Sequence, residues 1–193
     1  MKALSLRQPW GSAIVYDDKR IENRRWPLLR NGMTALDKML PRGERFAIHG
    51  SMTKIGKFLK PDAEMVESTV SRPMTPAQKD IRGCVIGTAK VIDVIRATHP
   101  KQPVETRRGW PIYELNPADR DRIVYDTTWT DLAAAVLTPL LLKQDQIDRW
   151  WMGPYALVLD EVKTLKTPVA CPGRLYFWDL PPDVEAAVKE QLP

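Results

Sequence analysis

Leu4-Ser5-Leu6-Arg7-Gln8-Pro9-Trp10-Gly11-Ser12 is followed, after Ala13–Tyr16, by Asp17-Asp18-Lys19-Arg20-Ile21-Glu22-Asn23-Arg24-Arg25-Trp26-Pro27. Ala3–Leu6 reads as a short apolar strand. Pro9 suits the first turn of a helix, because its fixed φ and missing N–H cost nothing there, and Trp10–Tyr16 continues that helix. Asp17-Asp18 ends it, and Arg20–Arg24 leaves the turn as a second strand. A strand–helix–strand corner therefore carries Arg7, Gln8, Trp10, Ser12, Lys19, Glu22, Arg24, Arg25 and Trp26 within 26 residues.

Spacing alone leaves two readings of this corner open. Lys19 and Glu22 are three apart, so an ideal strand would send them to opposite faces. They share a face only if Lys19 belongs to the turn. Otherwise the run is a solvated edge whose exposed ion pairs are each worth under about 1 kcal/mol.

Working outward, Arg45–Gly50 is a clear strand. Gly83–Ile95 is a long β-rich run, with Gly87 marking a bulge or bend. Tyr155–Val162 and Leu175–Leu180 are further strands. Asp183–Leu192 has helical spacing, with Val184, Ala187, Val188 and Leu192 on one side. Leu28–Gly43, Lys54–Ile81 and Ala97–Trp151 carry weaker signals and read as insertions, part helical. Asp131 is a candidate N-cap for an apolar helix reaching Leu142. With one βα step only, the expectation is an α+β fold: a small, mixed or closed sheet in a single domain spanning 1–193, with insertions at about 28–43, 54–81 and 97–151.

The bulk properties narrow the function. The chain has 193 residues, 44% of them hydrophobic, enough for a real core. No apolar run reaches the roughly 18 residues of a membrane span, and Arg7 and Gln8 break the N-terminal apolar segment too early for a signal peptide. Cys84 and Cys171 are too far apart in sequence to suggest a disulfide framework or zinc site. A cytoplasmic protein is the default expectation. Two histidines, His49 and His99, exclude a multi-histidine metal site. No metal or cofactor is expected, and there is no phosphate loop, nucleophile elbow or His-Glu-x-x-His.

Charge is uneven. Residues 1–60 hold 13 Lys and Arg against 5 Asp and Glu; the rest hold 16 against 19. A basic N-terminal part suits a polyanion such as nucleic acid, though a merely basic surface would look the same. Seven tryptophans offer stacking faces or core bulk.

The corner and its sequel resemble the ASCH domain family of the PUA-like superfamily. The usual pattern there is an SLRQPWAS-like corner, then Gly-x-Lys-x-x-Glu and Arg-x-Trp. This chain has Ser5–Ser12, then Lys19-x-x-Glu22-x-Arg24-x-Trp26. Ile48-His49-Gly50-Ser51 and the blocks Gly153–Leu159, Pro168–Gly173 and Phe177–Pro181 extend the similarity to roughly half the chain. The resemblance implies a PUA-like small β-barrel with flanking helices and family-specific helical insertions. It also implies a cleft facing RNA, single-stranded nucleic acid or a modified nucleoside, with Arg7, Gln8, Trp10, Ser12, Lys19, Glu22, Arg24, Arg25, Trp26 and His49 as contacts. Some members are binding modules; others are ribonucleases or N4-acetylcytidine amidohydrolases. An enzyme here would use Lys19 as base or nucleophile with Glu22 as partner. Glu22 stands where the amidohydrolases carry threonine, which favours binding.

Two further expectations follow. Asp17 replaces the family glycine, which is expected to serve a left-handed turn that aspartate tolerates. A third functional reading is a protein-interaction module using Leu137–Leu142 and Trp150-Trp151.

Overall fold

In the computed structural model, residues 1–25, 43–54, 60–107, 110–125 and 142–192 are described. Ten strands and six helices lie among them. The strands are β1 (Lys2–Leu6), β2 (Ile21–Arg24), β3 (Arg45–Gly50), β4 (Cys84–Arg96), β5 (Glu105–Arg107), β6 (Trp110–Ile112), β7 (Val124–Tyr125), β8 (Leu142–Lys143), β9 (Tyr155–Ala170) and β10 (Phe177–Asp179). The helices are α1 (Trp10–Tyr16), α2 (Lys60–Glu67), α3 (Pro76–Lys79), α4 (Pro117–Ile123), α5 (Gln144–Trp150) and α6 (Pro182–Lys189). The α+β class expected from the sequence is the class observed. Trp26, the Leu28–Arg42 part of the first insertion, and the expected helix from Asp131 up to Leu141 lie outside the described residues.

The chain forms two compact units. One comprises Met1–Lys19, Leu36–Val91 and Glu161–Pro193; the other comprises Arg20–Ala35 and Ile92–Asp160. The long strands β4 and β9 each contribute residues to both.

In the first unit the strand neighbours run β10-β1-β3-β4-β9. β1 pairs parallel with β3 (Leu4 opposite Ile48) and antiparallel with β10 (Ala3 opposite Trp178), so the sheet is mixed. Opposite β3, the β4 register jumps from Gly87 to Val85, leaving Ile86 as an extra residue. This is the bulge expected at Gly87. A Cβ on Gly87 would meet the Lys163 carbonyl and Val15 Cγ2, each at 2.8 Å, so the site admits only glycine without rearrangement. Ala3, Ala47, Val85, Leu165, Trp178 and Leu180 form a buried cluster with Val184 and Val188 of α6. The one-turn spacing of those two valines puts both on the buried face.

In the second unit β2 pairs antiparallel with β9, with Ile21 opposite Val158 and Arg24 opposite Tyr155. Ile21, Ile95, Trp150, Ala156, Leu157 and Val158 are buried in its interior. Trp150 and Trp151 are buried, so they are core and not the exposed contact surface of an interaction module. Among the described residues, no helix is long and apolar enough to cross a membrane.

Candidate nucleic-acid interface

The first unit holds the Arg7–Ser12 corner, where β1 hands over to α1. Pro9 is the residue just before α1, not inside its first turn, and the Gln8–Pro9 peptide is cis. Gln8 turns inward. Its Oε1 accepts from the Ser12 N–H (3.1 Å) and from the Ser12 hydroxyl (3.0 Å), and its Nε2 donates to the Ile81 carbonyl (2.7 Å). The Ser12 hydroxyl also reaches the Gln78 carbonyl. Gln8 and Ser12 are both buried. Their polar atoms tie the start of α1 to the segment from α3 to Ile81, so these two expected contact residues serve as braces for the corner.

The outward-facing part of the corner is Arg7 and Trp10. Asp62 of α2 accepts a hydrogen bond from the Trp10 indole N–H (3.4 Å) and pairs with the Arg7 guanidinium (3.5 Å). Asp62 is itself buried, while the Arg7 side chain is about half exposed. Sequence reading missed Asp62. Its position in an insertion without a clear pattern offered only one signal, an acidic residue in the first turn of a short helix.

Lys19 is fully buried, with its Nζ 5.6 Å from the centre of the Trp10 ring. That distance is within cation–π range, a contact worth about 2 kcal/mol when desolvated. Trp10 is thus oriented twice, by Asp62 at its edge and by the lysine ammonium at its face.

Asp17 has φ −121° and ψ −160°, ordinary extended backbone, and its carboxylate accepts from the Ser71 N–H. The expected left-handed turn is therefore absent, and aspartate costs no backbone strain at this position. Burial raises the Asp17 carboxyl above its usual range. The Ser71 N–H opposes that shift, and neighbouring Asp18 adds to it.

His49 is fully buried in β3 with both ring nitrogens engaged. Nε2 lies 2.9 Å from the Cys171 carbonyl and Nδ1 3.1 Å from the Ser5 hydroxyl. Trp178 packs edge-on at 5.7 Å. Burial lowers the imidazole pKa, only partly opposed by the bond to Cys171. The structure places His49 fully buried among Ser5, Cys171 and Trp178.

The boundary between the units falls directly after Lys19, so Glu22, Arg24 and Arg25 belong to the second. Glu22 and Arg24 share one face of β2, as alternate strand residues must, and form an ion pair at 3.2 Å. Asn23, on the other face, donates to the Trp150 carbonyl (2.7 Å) and accepts from the Met152 N–H (3.0 Å), fixing the strand against the end of α5. Arg25 is exposed. Among the described residues there is no cluster of three or more potential metal ligands.

No family model matches the chain, and no curated protein matches it. Two solved structures to which it is similar are both ASCH structures from Zymomonas mobilis. The ASCH protein itself is 13% identical, with 98% of this chain and 93% of that chain covered and a TM-score of 0.41. A serine-to-alanine mutant of it is 14% identical, with 98% and 94% covered and a TM-score of 0.38. At these values the functional reading rests on this chain's own residues.

Proposed function

We propose that the chain binds RNA or a nucleotide. The observation that carries this reading is the fully buried Lys19 ammonium facing the Trp10 ring. An ammonium removed from water is costly to keep, so a buried lysine marks a functional position more often than a lysine on a solvated edge. Arg7, half exposed on the same corner, supplies a second cation, and a partly exposed indole supplies a face for a base. The resemblance of the Arg7–Trp10 corner and the Lys19-x-x-Glu22-x-Arg24 segment to the ASCH pattern supports the same ligand class. In the second unit, Glu22, Arg24 and Arg25 are the remaining described candidates.

A hydrolase acting on RNA or on an acylated nucleoside would use the same Lys19, with Glu22. Glu22 speaks for holding: it is engaged in an ion pair with Arg24 at 3.2 Å and stands where the amidohydrolases of the ASCH pattern carry threonine.

The test is fluorescence anisotropy with short single-stranded RNAs at low salt. Wild type is expected to bind, and Lys19→Met, which removes the ammonium from the Trp10 face and keeps most of the side chain's length, to bind about tenfold more weakly because the stacking ring loses the contact that orients it. No binding of any RNA or nucleotide at low salt would sink the proposal. Parallel incubation with labelled RNA and N4-acetylcytidine is expected to give no turnover. Turnover abolished by Lys19→Met would establish the enzyme instead.

A further inference from the structure

The second unit contains an open cleft of about 690 Å³, lined by Arg25, His99, Lys101, Gln102, Tyr113 and Tyr155 together with two prolines. We propose that this cleft binds a nucleoside phosphate, a ligand with one flat base and at least one phosphate group. The proposal uses neither Arg7 nor Lys19 and shares only Arg25 with the reading above.

Charge is the first argument. Arg25 and Lys101 are cations, His99 and Gln102 add N–H donors, and no carboxylate is among the described residues lining the cleft. Arg25, His99 and Lys101 are all exposed, and among the described residues none of their side chains is tied into an ion pair. A planar guanidinium beside an ammonium suits a phosphate, which takes bidentate bonds from the one and a point charge from the other.

Shape and lining are the second. The volume lies in the range of small-ligand pockets, roughly 300–1,000 Å³. Tyr113 and Tyr155 line it beside Pro100 and Pro154 and are the candidates to stack on a base, while Arg25, His99, Lys101 and Gln102 make it a poor match for a lipid or other wholly apolar guest. A metal ion has no carboxylate or thiolate to bind among these residues.

The third is that the walls are held in place before any ligand arrives. The turn carrying Lys101 is closed by the Gln102 N–H donating to the His99 carbonyl (3.0 Å). Its stem is clamped by Thr98 N–H to the Glu114 carbonyl (2.9 Å) and by Val104 N–H to the Ile112 carbonyl (2.8 Å). Tyr113 is fixed through its own carbonyl, which accepts from the Trp151 indole at 2.7 Å. The wall at Pro154 is joined to the same stem by Ala97 N–H at 2.8 Å. With the backbone ordered in advance, only the exposed side chains have to be ordered on binding.

Isothermal titration calorimetry with AMP, CMP, GMP and UMP tests the site, with the nucleosides and inorganic phosphate as controls. At least one monophosphate is expected to bind, with its nucleoside and inorganic phosphate each weaker by about tenfold or more, because each control loses one half of the recognition. Arg25→Ala and Lys101→Glu, both at exposed positions, are expected to weaken that monophosphate by about tenfold with an unchanged circular dichroism spectrum. A 5′-phosphorylated RNA tetramer that competes with it identifies the strand end as the source of the ligand; a tetramer that does not compete identifies the free nucleotide. Either outcome keeps the site. Binding of none of the four monophosphates at millimolar concentration, or binding that neither variant changes, overturns it. Lys101 belongs to this site alone, so a monophosphate held at the N-terminal corner instead would keep its affinity in Lys101→Glu and lose it in Lys19→Met, which tells failure of this site from failure of the corner.

Discussion

Trp178, Ser5, His49 and Cys171 form a directional chain of hydrogen bonds, and the chain settles what the histidine does. The Cys171 carbonyl can only accept, so His49 Nε2 carries the proton. Nδ1 is then the acceptor for the Ser5 O–H, and Ser5 Oγ accepts from the Trp178 indole at 3.2 Å. Every member is satisfied only while the imidazole is neutral. Protonation at Nδ1 would turn the Ser5 hydroxyl from donor to acceptor and take away the partner of its hydrogen, while placing a charge in a buried site, which agrees with the pKa lowered by burial. A histidine whose folded pKa lies below its unfolded value of about 6.5 binds more protons when unfolded. Its contribution is therefore complete above about pH 6.5 and is lost as pH falls toward the lower folded pKa. Thermal unfolding scans from pH 7.5 to 5 should show the midpoint falling with pH, and His49→Gln should flatten that fall while lowering the midpoint at pH 7.5. A wild-type midpoint that does not fall over this window would refute the assignment. The sequence offered His49 as a ring on a strand beside a candidate corner. Its partner carbonyl lies 122 residues further on, and no local pattern connects the two.

The corner between β1 and α1 depends on a close backbone approach at Gly50, the last residue of β3. A Cβ there would come within 2.2 Å of the Ile81 carbonyl oxygen and 2.8 Å of Gln8 Nε2, the two atoms that bond to each other in the native corner. Neither is the loose end of a flexible chain, so the strand would have to move. Gly50→Ala is expected to cost about 3 kcal/mol, combining overpacking with exposure of a buried hydrogen bond. Urea unfolding would show a lower midpoint at an unchanged slope; a loss under about 0.5 kcal/mol would mean the corner yields easily. How legible each element was follows from its chemistry. β1, β3 and α1 were readable as short apolar runs with Pro9 marking the start of the helix, since burial is nearly continuous along them (Phe46–Gly50 in β3, Gly11–Val15 in α1) and carries no period. β9 was read only to Val162, yet it runs to Ala170, because Glu161, Lys163, Thr164 and Lys166–Thr167 give the second half no apolar alternation. α3 carries a local signal legible in the sequence. Thr75 and Gln78 form a reciprocal capping box, the Thr hydroxyl taking the Gln78 N–H (3.2 Å) and the Gln78 side chain the Thr75 N–H (2.8 Å).

Across the whole chain the excess of positive charge lies in the first 60 residues, and this predicts how RNA binding should depend on salt. Sequence pattern offered Lys19 and Trp10 as candidates because the corner motif is local. It could not find Asp62, which offsets part of the Arg7 charge and so lowers the number of cations available to phosphates. Glu22 does the same for Arg24. The formal excess therefore overstates the number of phosphates held. If three of the candidate cations each displace one counterion from a single strand, log affinity should fall with log salt at a slope of roughly −2. A rise from 50 to 200 mM salt would then weaken binding roughly twentyfold. Arg7→Ala should make the slope shallower by about 0.7, one phosphate contact, and Asp62→Asn should strengthen binding at low salt by releasing Arg7. Anisotropy titrations at four salt concentrations measure both. A slope near zero with affinity retained would show that stacking on the tryptophan, and not charge, holds the RNA. A slope much steeper than −2 would show that cations beyond the corner, the Lys101 region among them, lie on the same strand.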